Sequence, residues 1–189
     1  DPLIEACRYA EATMARMPGF GKKLYNFVLP LYRNATAADL RLVKAACLLH
    51  DTTWRAHPDY RAEVCFDNAT RGNLGGISHP ERVFLGLSLL HRYKNSREGS
   101  RLSPLFALLS PDQTERAEVL GKAMRFGAMF AVQSPEEAGT LAWDPGARIL
   151  GLTLNPACEA LFGEVAQARF QSLANSLRAE TRVTRAAAA

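Results

Sequence analysis

His50 and Asp51 stand side by side at the end of an apolar helical run, in the stretch ACLLHDTTWRAHPDYRAE from Ala46 to Glu63. An imidazole nitrogen beside a carboxylate oxygen makes a pair of unlike ligands that suits Mg, Mn, Fe or Zn. A catalytic divalent ion normally takes three or more protein groups. The histidines are His50, His57, His79 and His91, so none precedes His50. His57 lies just before Pro58, from where it could fold back toward Asp51, and Asp59 follows. One reading is therefore a metal site of His50, Asp51, His57 and Asp59, whose metal-bound water would attack a nucleotide. The residues favour the other reading, a hydrogen-bonded polar pair at a helix end.

A second chemistry is carried by basic side chains. Arg55, His57 and Arg61 follow the pair closely, and Arg82 comes next. Arg92, Lys94 and Arg97 then fall within HRYKNSREGSR (residues 91–101), where the only acid is Glu98. The planar fork of arginine matches phosphate oxygens, and lysine adds a point charge. Pro80 opens a helix whose first amides would add partial positive charge. These seven residues predict a site for a phosphate-rich anion, with binding that weakens as salt rises. A further basic cluster, Arg169, Arg178, Arg182 and Arg185, ends the chain. No helix-turn-helix pattern or paired aromatic platform points to nucleic acid. GxSxG, P-loop and GxGxxG motifs are absent too. Trp54 reads as a core or interface anchor.

The chain that must position these groups has 189 residues, enough for one core with a small appendage. With 48% hydrophobic and 22% charged residues it has the composition of a globular domain. No apolar run reaches membrane-span length, and the start, DPLIEACRYAEA, lacks the layout of a signal peptide. The missing initiator Met reads as a sign of a longer parent chain. Cys7, Cys47, Cys65 and Cys158 have no metal-like spacing and read as reduced thiols of a cytoplasmic protein.

Cap signals divide the chain. Leu3–Met17 and Phe20–Leu31 read as helices separated by Pro18-Gly19. Thr36 with Asp39 caps a helix that places Leu40, Val43, Cys47 and His50 on one stripe. Pro80 opens another, with Val83, Leu87 and Leu90 inward. Ser110-Pro111-Asp112-Gln113 opens a long helix with a capping box, and Asn155-Pro156 opens the last, lined by Phe162, Ala166, Phe170, Leu173 and Leu177. GTLAW and RILGLTL flank the turn residues DPGA and predict a β-hairpin near residues 140–154. The expected fold is mostly α: one helical domain over 1–180, with a small α/β appendage at 134–180. Residues 181–189, TRVTRAAAA, are expected to fray.

Three segments carry a family resemblance: LLHDTTWRAHPDYRAE, GISHPERVFLGLSLLHRY, and the hairpin with NPACEALFGEVAQARFQSLANSL. Together they resemble the C-terminal half of bacterial exopolyphosphatase / guanosine pentaphosphate phosphatase proteins, of the alphaproteobacterial type. Trp54–Arg61 is the most specific element, followed by His79, Pro80 and Arg82. The family's C-terminal part is an HD-like helical domain. HD phosphohydrolases carry a His … His-Asp … Asp pattern, which this chain lacks upstream of His50. It also departs from the family in having His50 before Asp51 and Thr52-Thr53 after it. The resemblance implies that catalysis and its Mg belong to N-terminal actin-like domains of the parent. This domain would then have no cofactor of its own. It would bind polyphosphate and help form a homodimer, with His50 and Asp51 as relics of an HD ancestor.

Overall fold

The computed structural model describes residues 1–187. The fold is mostly helical, as the cap signals predict. The helices are α1 (Pro2–Met14), α2 (Phe20–Val28), α3 (Ala37–Leu49), α4 (Pro58–Arg71), α5 (His79–Tyr93), α6 (Ser103–Phe106), α7 (Pro111–Phe130), α8 (Pro135–Ala138) and α9 (Glu164–Ser176). Thr36 with Asp39, Ser78 with Glu81 and Ser110 with Gln113 each form a reciprocal capping box, so α3, α5 and α7 start where side chains satisfy their free amides. The break between α1 and α2 has its own device. Buried Glu11 accepts hydrogen bonds from the amides of Gly19 (3.1 Å) and Gly21 (2.7 Å), closing the start of α2 from inside.

Helix α5 is the axis of the domain. Every residue from Val83 to His91 is buried, with α4 and α7 packed along its two sides and α3 across it. Helix α9 packs on the far side of α7. Phe27, Phe126, Phe130, Phe162 and Phe170 interlock with ring centroids 5.1 to 6.4 Å apart, joining α2, α7 and α9 in one apolar core.

Three local expectations are corrected. Helix α1 stops at Met14, and the second helix passes at Val28 into a 3-10 turn, Leu29–Tyr32, that contains Pro30. The helix opened by Asn155 is two pieces, a 3-10 turn at Pro156–Leu161 and α9, separated by Phe162 and Gly163. The break lets the Phe162 ring turn into the aromatic core, where it meets Phe126, Phe130 and Phe170. Third, the tail does not fray over its first part. Residues Glu180–Arg185 form β3, so the predicted hairpin, β1 (Gly139–Asp144) and β2 (Ile149–Leu154), belongs to a three-stranded sheet. β1 and β2 are antiparallel, and β3 lies parallel to β2 with Ile149 opposite Glu180 and Leu154 opposite Arg185. Thr181, Val183 and Thr184 are β-branched and fit such a strand. The last residues of the expected tail, 188 and 189, lie outside the described residues.

Helices α5 and α7 come into close contact at Gly121. A Cβ there would lie 2.4 Å from both the Ser88 carbonyl oxygen and the Cβ of His91. Alanine would ordinarily gain about 1 kcal/mol over glycine inside a helix. Here the contact is with backbone and a rigid, fully buried neighbour, so the helices must separate. Gly121→Ala is expected to destabilise the domain by roughly 1–3 kcal/mol, read from the urea midpoint.

Candidate functional site

The His50–Asp51 pair is tied into the scaffold. His50, at the end of α3, is 3% exposed; its Nδ1 faces the Cys47 carbonyl oxygen at 2.9 Å, and its ring packs 5.2 Å from that of Phe20. The Tyr93 hydroxyl, at the end of α5, donates to the His50 carbonyl oxygen (2.9 Å) and lies 3.4 Å from Asp51 Oδ1. The guanidiniums of Arg92 and Arg61 lie 4.8 and 5.5 Å from the Tyr93 ring, and Arg16 sits 3.9 Å from Asp51. The pair thus fastens the end of α3 to the end of α5.

The other two residues of the metal reading face elsewhere. His57 is exposed and is the cap of α4, its Nδ1 accepting from the Asp59 amide at 3.3 Å. Among the described residues, no group of three or more His, Cys, Asp and Glu side chains is placed to hold an ion.

The seven basic candidates separate into distinct roles. Arg61 donates to the carbonyls of Trp54 (2.7 Å) and Ala56 (3.1 Å), closing the turn before α4. Arg82 donates to the carbonyls of Gly72 (2.9 Å) and Leu74 (2.5 Å), tying down the loop after α4. Arg97 pairs with Glu118 at 3.6 Å, and Arg55 lies over the Trp54 ring at 4.6 Å. The start of α5 is filled by its own capping box: the Glu81 carboxylate accepts from the Ser78 amide at 2.7 Å. That acid counters the partial positive charge proposed for a phosphate, so the expected contribution of this helix end is not available.

Arg92 and Lys94 remain; Arg92 borders the small cavity beside His50 and Asp51, while the fold adds Lys122, Arg125 and Arg169 to Lys94. Lys94, Lys122, Arg125 and Arg169 line a groove of about 610 Å³ between the end of α5, the middle of α7 and α9. Lys122 is held by Glu118 at 2.6 Å, whereas Lys94, Arg125 and Arg169 have no acidic partner within 4.0 Å among the described residues. Burial, then the positive neighbours Arg169 and Arg92, pulls Arg125 down to about 10. Burial also lowers Arg92, against the opposing influence of Tyr93 and Asp51. The Nε atoms of Arg92 and Arg169 are shielded from solvent and lack a hydrogen-bond partner. Such donors are costly to bury, and like charges repel, so the arrangement is ready-made for a multivalent anion. Nothing in the sequence marks Arg125, which sits between core residues Met124 and Phe126 of a helix read as apolar. Arg169 was visible only as part of the late basic cluster.

The helical domain thus carries a small mixed sheet and a basic groove, with its polar His-Asp pair built into the frame. The family model described as "Exopolyphosphatase, C-terminal" matches residues 11–183, and the chain belongs to that family. A search of curated proteins finds no match. No helix among the described residues is long and apolar enough to cross a membrane.

Burial and the charge of Arg92 push His50 from 6.5 down to about 3, so it is neutral when folded. The unfolded chain takes up the proton first as pH falls. The stability tied to neutral His50 is therefore full above 6.5 and is lost progressively toward 3. His50→Asn should flatten the stability-against-pH curve in that window, measured by urea unfolding at several pH values. His91, pushed down to about 4 mainly by burial, will keep part of the slope.

Proposed function

We propose that this chain is the non-catalytic C-terminal module of an exopolyphosphatase-like enzyme, and that it holds the phosphate chain for cleavage elsewhere in the parent protein. The single observation that carries this reading is the groove lined by Lys94, Lys122, Arg125 and Arg169, in which Lys94, Arg125 and Arg169 have no acidic partner within 4.0 Å among the described residues. Polyphosphate repeats a negative charge at short intervals along a flexible chain, so it can meet several guanidiniums at once without fixed register. Hydrolysis, and the Mg that goes with it, would belong to the actin-like domains of the parent, which acts in the cytoplasm on polyphosphate or guanosine pentaphosphate.

Homodimer formation is the second part of the proposal. Met129 and Val132 at the end of α7, and Leu161 and Val165 before and at the start of α9, are left 38 to 57% exposed. Large apolar side chains of this kind favour coverage by another subunit. Sedimentation equilibrium giving only a monomer mass would remove this part.

Polyphosphate titrations at several salt concentrations test the binding. The Arg125→Gln/Arg169→Gln double variant should bind more weakly, and its log–log salt slope should fall by roughly 1.4, about 0.7 for each lost contact by analogy with single-stranded nucleic acid. Arg82→Gln should leave the slope unchanged while lowering stability, because its guanidinium serves the Gly72 and Leu74 carbonyls. Equal slopes for the double variant and wild type would rule out the groove.

A further inference from the structure

A second cleft, of about 630 Å³, opens between the 3-10 turn after α2, the first half of α7, the β1–β2 hairpin and the end of α9. It shares no lining residue with the basic groove. Two of its arginines, Arg148 and Arg178, have φ angles of 52°, the only positive values at non-glycine residues among those described. Both positions are ones where glycine is the relaxed choice. Arg148 closes the hairpin turn, and Arg178 follows the C-cap Leu177 of α9. An arginine there adds backbone strain that its local structure does not require, yet both side chains reach the same cleft.

The rest of the lining shows what such a pair would hold. Half-buried Trp143 and the apolar Val119 and Leu177 form a wall, and the Tyr32 hydroxyl is shielded without a hydrogen-bond partner. Of the four arginines and three acids in the lining, Arg116 takes up Asp39 and Asp112 and Arg178 is held by Glu115 at 2.7 Å, which leaves Arg33 and Arg148 with no acidic partner within 4.0 Å among the described residues. Guanidinium forks beside an indole and a neutral hydroxyl suit a ligand that is anionic at one end and planar and apolar at the other. A cleft of this size accommodates a mononucleotide.

We propose that this cleft is a nucleoside phosphate site, with the base against Trp143 and the phosphates on Arg148 and Arg178. It stands apart from the polyphosphate reading, since the two sites use different residues. Calorimetric titration with ATP, GTP and tripolyphosphate tests it in the Arg125→Gln/Arg169→Gln background, where the separate polyphosphate groove is weakened, together with Arg148→Gly and Arg178→Gly made in that same background. At least one nucleotide should bind about tenfold or more tighter than tripolyphosphate. Each glycine variant should weaken that binding by about tenfold, the scale of one charge-assisted hydrogen bond. Their thermal midpoints should be unchanged or higher, because glycine relieves the backbone. The proposal is overturned if neither nucleotide binds, if tripolyphosphate binds as tightly, or if the glycine variants bind like their double-variant parent.

Discussion

The close approach of α5 and α7 at Gly121 is the constraint on which the other arrangements rest. With only a hydrogen where a side chain would stand, the Ser88 carbonyl and His91 come against the α7 backbone. That contact fixes the end of α5 relative to the middle of α7. Arg92 is the next residue along α5 and Arg125 lies one turn along α7 from Gly121, so the same contact brings Arg92 toward Arg125, whose pKa is lowered first by burial, then by Arg169 and least by Arg92. A wider helix spacing would relieve the repulsion and dissolve the groove. Its charge density is therefore a product of core packing, and the surface residues alone do not create it.

His50 and Asp51 illustrate how a chemical pair can become a mechanical one. The imidazole is sequestered beside Phe20, and the carboxylate sits among Arg16, Arg92 and Tyr93. Within this web Asp51 is the acid that offsets Arg92 from inside the domain. A pair that could have ligated an ion instead orients Tyr93, which lines the groove, and its neighbour Arg92. The seven basic candidates follow the same logic in reverse. Those nearest the family-like segments, Arg61 and Arg82, hold carbonyl groups around α4.

Much of the fold was legible because it is written locally. Thr36, Ser110 and Pro80 mark helix starts, and DPGA marks the hairpin, through short-range hydrogen bonding and backbone preference. The division of the last helix at Phe162 was hidden, because it answers to an aromatic cluster assembled from three helices. β3 was hidden too: TRVTR is too polar to read as a buried strand, and its place is set by the neighbouring strand. Of the site, the kind of residue was legible and its destination was not. Whether a guanidinium reaches a carbonyl, an acid or open solvent depends on tertiary neighbours, so a basic run such as residues 91–101 names candidates without placing them, and Arg125 was concealed among apolar residues.

The parallel placement of β3 has a consequence for the solubility of the domain. β2 carries Leu150, Leu152 and Leu154 on its buried face, in the run ILGLTL, which is uncharged and rich in β-formers. With β1 on one side and β3 on the other, it is a central strand whose backbone groups are paired along both edges. The outer position belongs to ETRVTR, where Arg182 and the Arg185–Glu159 ion pair line the rim. The polar final strand thus acts as an insulating cover. Without it the sheet would end in a sticky, hydrophobic edge suited to pairing with other chains.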